Sequence, residues 1–140
     1  IEGLLFPHYD TANRHELLAN LGKLSARYEA YRAYYSHIPI SDWQVFDAAK
    51  LEVFRILTLG ITGFDDPLSL NSMEECAVSL RSLKIVLAPY AEKGGDSRLG
   101  PLLDSAAVYL SQNRDFDSFD RSYFITTYGN RLSSRITLLE

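Results

Sequence analysis

Apolar residues recur along the chain at helical intervals. Leu17, Leu21, Leu24, Tyr28, Tyr31 and Tyr35 alternate steps of four and three, which places all six on one stripe of a helix. That stripe is expected to face helical neighbours. Asp10 or Thr11 can cap the start of this helix, because a short side-chain oxygen can accept a free first-turn N–H. Pro39 stops it, since the residue before a proline is pushed out of the helical region. Ser41-Asp42-Trp43-Gln44 then has the Ser-x-x-Gln spacing of a capping box. The following helix, to about Ile61, is apolar over a wide arc: Val45, Phe46, Ala49, Val53, Ile56 and Leu57, with Leu51 and Leu59 interrupting its polar side. It is expected to be the most buried helix. Gly60, Gly63 and Phe64-Asp65-Asp66-Pro67 end it in a turn.

Ser72-Met73-Glu74-Glu75 is a second capping box, and Met73, Ala77, Leu80, Leu83 and Leu87 form the next stripe. Pro89 and Gly94-Gly95 mark its end and a loop. Leu99, Leu102, Leu103, Ala106, Tyr109 and Leu110 predict a shorter helix, with Pro101 tolerated only near its first turn. After the break Asp115-Phe116-Asp117-Ser118, Phe124, Tyr128, Leu132, Ile136 and Leu139 predict a last helix. It has no stop signal before Glu140, so the chain is expected to run on in a longer protein. No alternating run suggests a sheet. The expectation is an all-α, up-and-down antiparallel bundle in a single domain over residues 1–140. It would have about five helices plus a truncated first one.

Composition narrows the function classes. At 140 residues and 46% hydrophobic content the chain can bury a core without staples. Its net charge of −4 argues against a nucleic-acid partner. No apolar run approaches the ~20 residues of a membrane span. The single cysteine, Cys76, excludes an internal disulfide and a C-x-x-C-H haem-attachment sequence.

Each candidate site has a structural counterpart. His8 sits in a loop, Pro7-His8-Tyr9-Asp10, whereas a zinc or iron site needs three or four convergent ligands. His15 and His37 lie near helix ends and suggest no function. Tyr28, Tyr31, Tyr34 and Tyr35 could stack a haem or another aromatic ligand, but such a stripe is more often core. Asp47, Lys50, Glu52 and Arg55 are either a buried polar centre or i, i+3 ion pairs at the edge of the core; the second reading is favoured. Asp115, Asp117 and Asp120 lack the glycine and glutamate of a calcium loop and read as helix caps. The chain contains no G-x-S-x-G, S-x-x-K or H-E-x-x-H sequence and no glycine-rich phosphate loop.

The opening Ile1-Glu2-Gly3-Leu4-Leu5-Phe6 resembles the end of the imelysin motif, in which a G-x-H-x-x-E helix runs into an apolar stretch. Glu2 then matches the motif glutamate, and the motif's glycine and histidine fall before Ile1. The rest resembles the imelysin-like helical region of bacterial di-haem cytochrome c peroxidase-like proteins. The stretches that carry this likeness are Ile38–Asp42, Gln44–Ala48, Leu51–Ile56, Leu59–Asp65, Phe116–Arg121 and Phe124–Tyr128. The resemblance implies a periplasmic or cell-envelope location. It also implies that haem c belongs to a following domain, so no cofactor is expected in this chain. The resulting expectation is a non-catalytic accessory or docking domain, packed against the haem domain of its own chain or against an electron donor. Any peroxidase activity would belong to the parent protein. The alternative is a periplasmic iron- or haem-binding imelysin-type protein, with Glu2 and His8 as metal ligands. A peptidase reading finds no catalytic metal set to support it.

Overall fold

The computed structural model describes the backbone of residues 1–140 and every side chain except that of Glu2. The chain is all-helical, with no strand among the described residues. Its helices are α1 (Glu2–Leu5), α2 (Arg14–Tyr35), α3 (Asp42–Arg55), α4 (Ser72–Gly94), α5 (Leu99–Gln112), α6 (Arg121–Phe124) and α7 (Asn130–Leu139). No helix among the described residues is long and apolar enough to cross a membrane. The chain forms two compact units, Ile1–Ser41 and Asp42–Glu140.

In the first unit, Asp10 accepts a hydrogen bond from the Ala12 amide at 2.9 Å. It thereby caps a short 3-10 turn, Thr11–Asn13, that leads into α2. α2 ends ahead of Pro39, as the proline rule requires. The expectation that its apolar stripe is core is not met. Leu17 is buried, but Leu21, Leu24, Tyr28, Tyr31 and Tyr35 are exposed, as is Tyr34. The reason lies in the unit itself: besides α2 it contains only a four-residue helix and a three-residue turn, too little surface to cover a 22-residue helix.

The second unit holds a continuous core. Phe46, Ala49, Val53 and Ile56 from α3 and its extension meet Met73, Ala77, Leu80 and Leu87 of α4. Leu103, Ala106 and Leu110 of α5, then Phe124, Leu132 and Ile136, close it. α3 and α4 run antiparallel, as do α4 and α5. Asp42 and Phe46 meet Tyr90, whereas Arg55, further along α3, meets Ser79. Lys84 pairs with Asp104, and Arg81 with Ser111. Lys50 reaches Glu140.

Three sequence expectations change here. The most buried helices are α4 and α5 rather than α3, because α3 turns Leu51 and Phe54 to solvent while α4 packs on both sides. Ser72 does not cap α4. Asn71 occupies the cap position, and Ser72 lies buried inside the first turn. Pro89 does not end α4, which continues to Gly94 and stops at Gly95 in the left-handed conformation (φ 71°). Pro89 is exposed, so water can satisfy the carbonyl that its missing N–H leaves free.

Two π turns shape the bundle. Ile56–Gly60 extends α3 and Ile125–Gly129 joins α6 to α7, each closed by an N–H to C=O bond spanning five residues. Each ends on a glycine that a neighbour closely overlies. A Cβ at Gly129 would come within 2.7 Å of Leu57. One at Gly60 would overlap the Sγ of Cys76.

Candidate functional site

The four charges of α3 separate into two assemblies. Lys50 lies 3.1 Å from Asp47 and 2.6 Å from Glu140, tying α3 to the end of the chain. Those contacts hold the Lys50 ammonium above its usual value, the Glu140 hydrogen bond most of all. Arg55 binds Glu52 through two bonds of 2.9 and 2.7 Å, and reaches Asp65 at 2.5 Å and Ser79 at 3.3 Å. The Arg55 bonds lower the Glu52 carboxyl below the usual carboxylate range, and Glu52 raises the guanidinium in turn. This second assembly fastens the loop after α3 to α4.

Cys76 lies against that assembly, under Gly60. Burial pushes its thiol up to about 12, and the nearby Arg55 charge only partly opposes this. Such a thiol is a core side chain rather than a nucleophile.

Arg121 gathers the other charged contacts of note. Its Nε donates to the Ile61 carbonyl at 2.8 Å, Nη2 to Phe116 at 2.9 Å and Nη1 to Phe119 at 3.2 Å. The guanidinium carbon lies 4.3 Å from the centre of the Phe116 ring. That ring overlies Gly63, whose φ of +69° and lack of a Cβ allow the approach. The segments Leu59–Asp65 and Phe116–Arg121 thus meet at one residue. Beside them Tyr109, Phe119, Tyr123, Phe124 and Tyr128 form an aromatic cluster with ring centres 5.2 to 6.2 Å apart.

Of the acidic run, Asp120 caps α6 and Asp115 closes the turn before it, while Asp117 makes no capping bond among the described residues. Asp115 accepts from the Ser118 amide and hydroxyl at 2.9 and 2.8 Å, and Asp120 accepts from the Tyr123 amide at 2.8 Å. Those bonds lower the Asp115 carboxyl. His8 is exposed. The Glu2 side chain lies outside the described residues, so the Glu2–His8 pair has no geometry to report. Among the described residues, no three His, Cys, Asp or Glu side chains are grouped to hold a metal.

A groove between α5 and the last helix drew no attention in the sequence. It is open to solvent, has a volume of about 420 Å³ and is lined by Arg98, Leu102 and Ser105 on one side and Tyr128, Arg131 and Arg135 on the other. The signal was present: Arg131 and Arg135 are four apart, while Arg98, Leu102 and Ser105 follow the same helical rhythm. Their significance depends on α5 and α7 facing each other, which neither segment specifies alone.

No protein-family model matches the chain, and comparison with curated proteins and with solved structures gives no match either.

Proposed function

We propose that the chain is a non-catalytic docking region of a cytochrome c peroxidase-like protein. Its partner would be a c-type haem domain, on the same polypeptide or on an electron donor in the cell envelope. The observation that carries this reading is the exposed stripe of α2. Leu21, Leu24, Tyr28, Tyr31 and Tyr35 share a face, with Tyr28 and Tyr31 each 64% exposed. Contiguous apolar surface of this kind marks interaction sites, and tyrosine suits them because it offers large contact area with a polar tip. The sequence resemblance supplies the identity of the partner.

Calorimetric titration of the chain with a purified di-haem c-type domain tests the proposal. A saturable complex is expected, weakened at least about tenfold by Tyr28→Ser combined with Tyr31→Ser, with helicity unchanged. Loss of two such anchors typically costs more than the ~1.4 kcal/mol that a factor of ten represents. Absence of binding, or binding indifferent to the double substitution, would contradict it. A Soret shift on adding free haem to this chain would instead favour an imelysin-type haem protein.

A further inference from the structure

We propose that the groove between α5 and α7 is a binding site for a small organic oxyanion, a phosphate ester or a carboxylate, held by Arg98 and Arg131. The inference is independent of the docking role assigned to α2.

The charges in the groove do not balance. Arg98, Arg131 and Arg135 all line it. Arg135 is committed: its Nη1 lies 2.6 and 2.8 Å from the two carboxylate oxygens of Asp96. Arg98 and Arg131 have no ion-pair partner among the described residues, although Arg98 adds long-range charge at Asp96. Asp104, next to the groove residue Ser105, is held by Lys84 at 2.6 Å. Two guanidinium groups are therefore left without a direct ion pair, Arg98 sharing the field of Asp96 with Arg135 and Arg131 having no carboxylate of its own among the described residues. Arg131 and Arg135 also stand at i, i+4, where like charges repel unless a counter-charge intervenes. Asp96 supplies that for Arg135 and none is supplied for Arg131.

The remaining lining suits an organic anion. Leu102 and Pro101 give an apolar floor, and the Tyr128 ring adds an aromatic wall. Ser105 donates its hydroxyl proton to the Pro101 carbonyl at 2.8 Å. The Thr127 hydroxyl has no partner among the described residues and is free to donate to a ligand. The groove is open to solvent and has room, about 420 Å³, for a small anion to reach both guanidinium groups. Guanidinium groups present two parallel N–H donors, the geometry that carboxylate and phosphate oxygens accept. The start of α5, where Arg98 precedes Leu99, adds the positive end of a 14-residue helix.

The test is calorimetric or NMR titration of the full chain at constant ionic strength set with sodium chloride. The probes are phenyl phosphate, benzoate and inorganic phosphate. Saturable binding of at least one probe is expected. Arg131→Gln and Arg98→Gln should each weaken it at least tenfold, whereas Lys23→Gln, which removes the same charge from α2, should leave it unchanged. Tighter binding of phenyl phosphate assigns the phosphate ester; tighter binding of benzoate assigns the carboxylate. Both substitutions sit at exposed positions, so folding is expected to persist and is checked by helicity. No saturable binding of any probe overturns the proposal. So does binding that the two arginine substitutions leave intact, or that Lys23→Gln weakens equally.

Discussion

Arg121 donates from Nε to the backbone carbonyl of Ile61 at 2.8 Å, across sixty residues of chain. Its other nitrogens bind the carbonyls of Phe116 and Phe119, so a single guanidinium joins the segment after α3 to the segment before α6. Replacing it by alanine removes three charge-assisted bonds; the Phe119 carbonyl keeps the backbone amide of residue 121, but the part-buried Ile61 and Phe116 carbonyls lose the donor that Arg121 supplies. Hydrogen bonds to charged groups contribute about 1.5–3 kcal/mol each before non-additivity. Arg121→Ala is therefore expected to destabilise the chain by about 2–4 kcal/mol in urea denaturation. Arg121→Lys should recover little, because a point ammonium cannot span three diverging carbonyls. Full recovery by lysine would show that charge alone matters.

The glycines divide by their surroundings. At Gly60 an added Cβ overlaps Cys76 Sγ, whereas at Gly22, in α2, nothing lies within 4 Å. Alanine gains about 0.5–1 kcal/mol over glycine in a helix interior. Overpacking a core costs about 1–3 kcal/mol. Gly22→Ala should thus stabilise by the first amount, and Gly60→Ala should destabilise, because the clash outweighs the propensity. Combining Gly60→Ala with Cys76→Ala should give back part of the loss, measured as a non-zero coupling in a double-mutant cycle. Additive effects would place the strain elsewhere.

The pattern of steps of three and four located every long helix, because each depends on local backbone preference and on which face is apolar. The ends were harder. Asp10 and Asp120 cap helices as their side chains suggest, but Ser72 lost that role to Asn71, one residue earlier. Pro89 was legible as a breaker only if its side of α4 faced the core, and it faces water. The stripe of α2 shows the limit of periodicity. Leu21 and Tyr28 are spaced as a core face is spaced, yet periodicity names a face without naming what covers it. The i, i+3 pairs Asp47–Lys50 and Glu52–Arg55 were legible, while their long-range partners Glu140, Asp65 and Ser79 were not. Of the arginine groove only the helical spacing of each half was legible, since Arg98 and Arg131 come to line one groove only through packing.

Cys76 offers a direct probe of that packing. Its thiol is buried and pushed up to about 12 against an ordinary value near 9. At pH 8 this lowers the thiolate fraction by a factor of about 10³. Labelling by iodoacetamide is accordingly expected to be at least about a hundredfold slower in the folded chain than in 6 M urea, even before access is considered. Comparable rates in the two states would mean that α4 opens readily at Cys76.

Asp96 and Arg135 predict an acid limit to stability. The pair joins the loop after α4 to α7, with side chains only 15% and 17% exposed. Burial alone would raise the Asp96 carboxyl, but the Arg135 guanidinium, the Arg98 amide and the charges of both arginines bring it below its ordinary value. A carboxyl lowered by folding binds its proton more readily in the unfolded chain. Its stabilisation is therefore complete above the unfolded carboxylate value and is lost as pH falls through the folded one. Stability measured in urea should decline as pH falls below about 4. Asp96→Asn should remove part of that slope while costing most near neutral pH, where the native pair is fully ionised. An unchanged acid slope in Asp96→Asn would assign the decline to other carboxylates, such as Glu52 with Arg55.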